Sequence, residues 1–145
     1  MTLSRRLWLW APAAAYMAII FYLSAQSNPL PQLTAHLWDK LLHTTEYAGL
    51  AFLFARALRG EGAGWLAAAV MAALAASLYG ASDEWHQAFV LLRSSDIHDW
   101  IGDTIGGALG AVAYTVMAGA LASAQQNSQP PSSERSQNSR TSSRK

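Results

Sequence analysis

The stretch GWLAAAVMAALAASLYGAS, residues 64–82, contains no charged side chain and is followed directly by DEWHQAF, residues 83–89. A helix needs about 20 predominantly apolar residues to cross the hydrocarbon core of a bilayer. Residues 64–82 therefore predict a membrane-spanning helix, and its end carries two acids, a histidine and an amide. This boundary between apolar and polar residues decides the fold class.

The composition of the whole chain favours a membrane protein. Apolar residues make up 52% of the 145 residues and charged residues 13%, about half the charged share of a soluble domain. The length leaves room for one domain. The chain has no cysteine, which excludes disulfides, thiolate metal sites and a cysteine nucleophile. A soluble, alanine-rich helical bundle is the alternative that composition leaves open.

Three further segments are predicted to span the membrane, at residues 7–23, 41–58 and 100–122. The first is uncharged, whereas the other two contain ionisable residues that include Glu46 and Asp103. Because a charge near the centre of a span costs about 2.5–3.5 kcal/mol, these two carboxyl groups should face protein or water. We therefore predict an all-α, polytopic four-helix transmembrane bundle within residues 1–124, with an outward-facing polar pocket.

The distribution of positive charge predicts the orientation of the bundle. With the N-terminus inside, eight of the ten Lys and Arg residues are cytoplasmic, and only Lys40 and Arg93 lie outside, as the positive-inside rule favours. Both termini are then cytoplasmic. The stretch SRRLWLW, residues 4–10, partly resembles a twin-arginine signal, but the apolar run is longer than a signal core and no A-x-A site follows. We interpret it as an uncleaved first helix, with a signal peptide as the alternative.

The last segment, residues 125–145, is rich in Ser, Gln and Arg and has no apolar periodicity. It is predicted to be a disordered cytoplasmic tail because it cannot bury enough apolar surface to fold. Its four cations and one acid suit contact with anionic inner-leaflet lipid, worth about 1 kcal/mol per charge. A solvated tail without a specific role is the alternative.

The first of three polar clusters lies at the predicted outer end of span two. Asp39, Glu46 and Tyr47 lie four before, three after and four after His43, which places all four on one helical face. This face is predicted to turn inward.

The second cluster follows span three. Helical spacing aligns Tyr79, Asp83, His86 and Gln87, and it turns Glu84 away by about 100°. The residues that follow, AFVLLRSS at 88–95, are too apolar for an ordinary loop and are predicted to lie on or in the membrane.

The third cluster precedes and enters span four. Asp96, Asp99 and Asp103 share one helical stripe, which continues through Gly106 and Gly110. The glycine half is predicted to be a helix-packing surface, within one chain or between two. Any single residue of the three clusters has a simpler interpretation as a hydrated or interfacial group, but three clusters at one depth predict a shared pocket.

Three motifs in order resemble the VanZ-like family of small bacterial membrane proteins: DKLLHTTEYAGLAFLF, SDEWHQAF and RSSDIHDWIGDTIGGALG, within residues 16–121. Many relatives have Asn at the position of Asp103. The resemblance carries the family's motif residues over to these positions of the chain: Asp39, Lys40, His43, Glu46, Tyr47, Asp83, Glu84, His86, Gln87, Arg93, Asp99, Asp103, Gly106 and Gly110.

The resemblance implies a multi-pass protein of the bacterial cytoplasmic (inner) membrane. The family's first member is associated with resistance to teicoplanin, a glycopeptide that binds cell-wall precursors. A common ancestry with membrane enzymes that modify lipid head groups has also been proposed for the family. The expected partners are therefore membrane lipids or lipid-linked cell-wall precursors, and no nucleic acid is expected.

One hypothesis is an enzyme that transfers or hydrolyses a phosphoester of a lipid head group at the outer leaflet. Arg93 would hold the phosphate, and His43 or His86 would be the general base, oriented by Glu46 or Asp83. The remaining candidates are assigned to substrate binding: Lys40, Tyr47, Glu84, Gln87, Asp99 and Asp103.

In this enzyme, Asp99 and Asp103 could supply oxygen ligands to a divalent cation, but their spacing alone does not predict a metal site, and the cofactor is left unknown. The clusters could instead form a polar lock that holds the helices together and binds a lipid or a protein. Transport is less favoured, because spans one and three are too apolar to line a pathway.

Overall fold

The structure, a computed structural model, describes residues 2–27 and 36–128, without the side chains of residues 36–39. Four helices account for its regular structure: α1 (Leu3–Ser24), α2 (His36–Gly60), α3 (Trp65–Gln87) and α4 (Ile97–Asn127). Residues 2–27 and 36–128 contain no strand. The predicted all-helical fold class is therefore confirmed for this part of the chain.

Three of the four helices, α1, α3 and α4, are long and apolar enough to cross a membrane. They contain 22, 23 and 31 residues, and at about 1.5 Å per residue each exceeds the ~30 Å hydrocarbon core. The helix α2 has 25 residues but is not one of the three. A bundle with four crossings therefore stays a prediction.

From residue 46 to its end the helix α2 is buried or half-buried, whereas Leu41 and Leu42 near its start are exposed. Its residues Tyr47, Leu50, Ala51 and Ala55 are fully buried. The hydroxyl of Tyr16 on α1 lies so close to Gly49 that a Cβ there would come within 2.7 Å of it. Contacts of this kind cover the polar residues of a helix with protein. The helix α2 can therefore be less apolar than the helices beside it.

Small residues let α4 approach α2 closely. A Cβ at Gly106 would collide with the carbonyl oxygen of Thr44, and one at Gly110 with that of Ala48. The predicted glycine surface thus packs within the chain. All four helices contribute to one buried apolar cluster, which consists of Ala13, Ile20, Tyr47, Leu50, Ala51, Phe54, Ala55, Ala72, Ala76 and Ala111.

A short turn joins α2 to α3 and makes them antiparallel neighbours. The amide of Ala63 donates to the carbonyl of Leu58 at 3.0 Å, and Gly62 has a φ of 101°, in the region that glycine adopts without steric cost. The turn therefore needs a glycine at position 62.

The chain divides into two compact units, residues 1–115 and 116–145. The described part of the second unit is the last stretch of α4 and Ser128, where the hydroxyl of Ser123 donates to the carbonyl of Gly119 at 3.1 Å. The helix continues through residues 125–127 of the predicted tail. The rest of that segment, from residue 129, lies outside the described residues, and its disorder stays a prediction.

The two ends of the first unit differ in charge. At the basic end, Glu61 accepts a hydrogen bond from the Trp10 indole at 3.2 Å and pairs with Arg6 at 3.3 Å. The guanidinium of Arg56 lies 4.3 Å from the centre of the Trp8 ring. The acidic end contains the C-termini of α1 and α3 and the N-termini of α2 and α4, and the polar clusters are located there.

Candidate functional site

The carboxylate of Asp83 connects α1 to α3 at the acidic end. Its Oδ2 accepts a hydrogen bond from the hydroxyl of Ser24 at 2.7 Å and a second from the side-chain amide of Gln87 at 2.9 Å. All three residues are buried. Two donors on one oxygen stabilise a buried carboxylate, so the predicted stripe of Asp83 and Gln87 faces α1.

A second buried pair connects α2 to α4. Nδ1 of His43 and Oδ1 of Asp103 are 3.1 Å apart, and Asp103 has no exposed surface. Oδ2 of Asp103 lies against α3, because a Cβ at Gly80 would be 2.8 Å from it. The acid that contacts His43 is thus one that the sequence had assigned to substrate binding.

The side chain of Glu84 is buried, with 5% of its surface exposed. Its Oε2 accepts a hydrogen bond from the backbone amide of Asp96 at 2.8 Å. The sequence separates Glu84 from the face of Asp83, and the burial of Glu84 argues against the simpler interpretation of this side chain as a hydrated group. Both faces are covered, because the end of α3 packs against the end of α1 on one side and the start of α4 on the other.

His43, Glu84 and Asp103 converge from three different helices. Each offers a ligand atom, these atoms all lie within 4.8 Å of one another, and the three residues are buried. In the described part of the chain this is the one group of His and acidic side chains close enough to hold a metal ion.

Further acids lie near this triad. Glu46, which is half-buried, is within electrostatic range of His43, Asp83 and Asp103, and also of Arg93. The acidic end therefore concentrates carboxyl groups in a small, largely buried volume.

Several buried polar atoms of the acidic end have no hydrogen-bond partner among the described residues. They are the hydroxyl of Tyr47, Oδ1 of Asp83, Oε1 of Glu84, Nε2 of His86 and Oδ2 of Asp103. Buried polar atoms nearly always have a partner, so such a group calls for a water molecule, an ion or a partner outside the described residues.

Four other predicted site residues lie on the helices and the connection that form the acidic end. The imidazole of His86 stacks on Phe21, with ring centres 4.6 Å apart. Nε of Arg93 donates to the carbonyl of Gln26 at 3.1 Å. Lys40 is exposed, and Asp99 is half-buried within electrostatic range of Glu84 and Asp103.

Asp96 does not belong to the helical stripe of Asp99 and Asp103, because α4 begins one residue later. Its Oδ1 accepts a hydrogen bond from the backbone amide of His98 at 2.9 Å. The same oxygen forms a second hydrogen bond, of 2.8 Å, with Nδ1 of the His98 ring. Asp96 is thus an N-cap. These hydrogen bonds to His98 hold the pKa of Asp96 below its ordinary value of 3.8.

An open cleft of about 330 Å³ lies between the end of α3 and the start of α4. Its walls include the apolar side chains of Trp85, Ile97 and Trp100, and Glu84 and Asp96 are its acidic residues. The indole of Trp100 is fixed by a 3.0 Å hydrogen bond to the carbonyl of Ser77. A cleft of this size can hold a small ligand or a lipid head group, and Glu84 connects it to the triad.

The sequence pattern gives no indication of one residue of the acidic end. Ser24 ends the first apolar span and binds Asp83, but a single serine at a span end carries no distinctive pattern. The signal available was its position, because the C-termini of α1 and α3 must lie at the same end of an up-and-down bundle.

The residues that form the acidic end lie within the part of the chain that matches a known family. A family model described as VanZ/LLP1 matches residues 5–118, well over half of the chain. Neither a curated protein nor a solved structure matches the chain significantly.

Proposed function

The chain belongs to the VanZ/LLP1 family, and from this premise we propose that it acts on phosphate-bearing lipid head groups at the outer leaflet of the bacterial inner membrane. The substrate would be a phospholipid or a lipid-linked cell-wall precursor. The reaction would be phosphoester transfer or hydrolysis.

The observation that carries this proposal is the contact between the cleft and the buried triad. Glu84 lines the cleft beside Trp85 and Trp100 and also adjoins His43 and Asp103. Apolar walls suit the lipid side of a ligand, whereas buried acid and imidazole groups suit proton transfer and charge stabilisation. One ligand in the cleft would therefore meet both kinds of surface.

The distribution of charge supports the orientation. Arg6, Arg56 and Arg59 lie at the basic end, which the positive-inside rule places in the cytoplasm. The acidic end then faces outward, where Arg93 and Lys40 are the nearby cations that can attract a phosphate.

The proposal is tested by mass spectrometry of lipids and cell-wall precursors from cells with and without the protein. We expect the wild type to change this profile, Glu84→Gln to abolish the change at unaltered protein level, and Glu61→Gln, at the basic end, to preserve it. An identical profile with and without the protein across growth conditions would contradict the proposal.

A non-catalytic polar lock is the second candidate, and the hydrogen bonds of Ser24 and Gln87 to Asp83 favour it. Its signature differs from that of an enzyme. Asp83→Asn and Ser24→Ala would fail to accumulate, whereas Glu84→Gln would accumulate and leave every cellular effect of the protein intact.

A further inference from the structure

We propose that His43, Glu84 and Asp103 form a binding site for one divalent transition-metal ion. Metal binding itself does not depend on the proposed function, but the role of the ion in head-group chemistry does.

The donor atoms of the triad suit a divalent transition metal. One imidazole and two carboxylates offer the nitrogen and oxygen ligands that Zn²⁺ and related divalent metals accept. Three helices contribute one ligand each, namely α2, α3 and α4. Side chains that project inward from different helices are a common way to build a metal site in a helical bundle.

The spacing of the ligand atoms of His43 and Asp103 also suits a metal ion. Nδ1 of His43 and Oδ1 of Asp103 are 3.1 Å apart. Two ligands that lie ~2.1 Å from a metal and 3.1 Å from each other subtend an angle of about 95°. That angle is close to octahedral geometry and within reach of tetrahedral geometry, so a metal ion can replace the shared proton without a large movement of either side chain.

Two carboxylate oxygens of the triad lack a hydrogen-bond partner among the described residues. Oε1 of Glu84 and Oδ2 of Asp103 are buried without a hydrogen-bond partner among the described residues, and the two side chains are 5% and 0% exposed. Two buried carboxylates with such oxygens are costly unless positive charge compensates them. A divalent cation supplies this charge.

The acidic residues of the neighbouring cleft also favour a bound cation. Glu84 lines both the cleft and the triad, and Asp96 adds a second acid to the cleft. A phosphate that entered this cleft would be repelled by these carboxylates. An ion between His43, Glu84 and Asp103 would neutralise the two carboxylates of the triad and would provide a Lewis acid for a phosphoryl oxygen.

The test measures the metal content of the full-length protein, purified in detergent, stripped with a chelator and dialysed against Zn²⁺. We expect about one Zn²⁺ per chain in the wild type and a melting temperature that rises with Zn²⁺ concentration. Glu84→Gln and Asp103→Asn should each lower the affinity at least tenfold. Glu61→Gln is the matched control and should bind as the wild type does.

A Co²⁺ spectrum keeps the test decisive if a variant folds poorly. In the wild type, visible absorption bands of Co²⁺ bound to nitrogen and oxygen ligands are expected, and Zn²⁺ should abolish them. Less than a tenth of an ion per chain in the wild type would overturn the inference, as would full binding by both triad variants. Metal binding without any change in cellular lipids would refute the proposed function and leave the metal site standing.

Discussion

The absence of a side chain at Gly106 determines how closely α4 approaches α2. The carbonyl of Thr44 occupies the space that a Cβ would need. The next contact of this kind, one turn later, is between Gly110 and Ala48. Two successive backbone contacts hold Asp103, less than one turn before Gly106, in register with His43.

We expect Gly106→Ala to destabilise the protein by about 1–3 kcal/mol, the usual cost of overpacking. The matched control is Gly119→Ala, because a Cβ at Gly119 meets nothing within 4 Å, and helix propensity there favours alanine by up to ~1 kcal/mol. The melting temperatures of both variants in detergent measure the difference. Equal stabilities would show that the close approach at Gly106 does not constrain the bundle.

At the residue scale, the sequence predicts which side chains share a helical face better than it predicts what covers that face. Helical spacing correctly groups Asp83 with Gln87, because Gln87 and Ser24 both donate to the Asp83 carboxylate. The spacing also separates Glu84 from them, but a one-helix pattern contains no information about the helix that covers the second face. The pairing of His43 with Asp103 was inaccessible for the same reason, since 60 residues separate them.

At the element scale, the connection between α3 and α4 exposes an apolar surface. Phe89, Leu91 and Leu92 have 75%, 76% and 83% of their surface exposed, and Phe89 packs edge-on against Trp85 with ring centres 5.7 Å apart. Leu92 adopts a φ of 65°, unusual for a branched side chain. Aromatic residues at a span end favour the membrane interface, which agrees with the predicted location of residues 88–95.

We expect the connection to insert into the outer interface of the bilayer. Since the chain contains no cysteine, Leu91→Cys can carry a single environment-sensitive fluorophore. Its emission should shift to the blue in liposomes and be quenched by lipids that carry a spin label near the head group. The same label on Gly64→Cys, at the end of the turn between α2 and α3, should remain in water, since a Cβ there meets nothing within 4 Å. Unquenched emission from position 91 would place the connection outside the bilayer.

At the scale of the whole molecule, the first unit has a polar helix surrounded by three apolar ones. Hydropathy alone identifies α1, α3 and α4 as possible spans. It does not identify α2, because an average over the residues of one helix takes no account of the helices that pack against it. The buried residues of α2, from Tyr47 to Ala55, explain how a less apolar helix could cross beside them. The number of helices was thus predictable from the sequence, whereas the enclosure of α2 was not.

Four crossings predict that Ser27, before α2, and Gly64, after it, lie on opposite sides of the membrane. We expect a membrane-impermeant maleimide to label Ser27→Cys in intact cells and to label Gly64→Cys, where a Cβ meets nothing within 4 Å, only after permeabilisation. Labelling of both cysteines from outside would show that α2 does not cross. Labelling of Gly64→Cys alone would reverse the orientation.

The contact between Gly80 and Asp103 also restricts the order in which this sequence can change. A Cβ at position 80 would meet Oδ2 and Cβ of Asp103 at 2.8 and 2.9 Å. We therefore expect a side chain at position 80 to be tolerated only when the side chain at position 103 is shorter than aspartate. The two positions are then epistatic, since the effect of a substitution at one depends on the residue at the other.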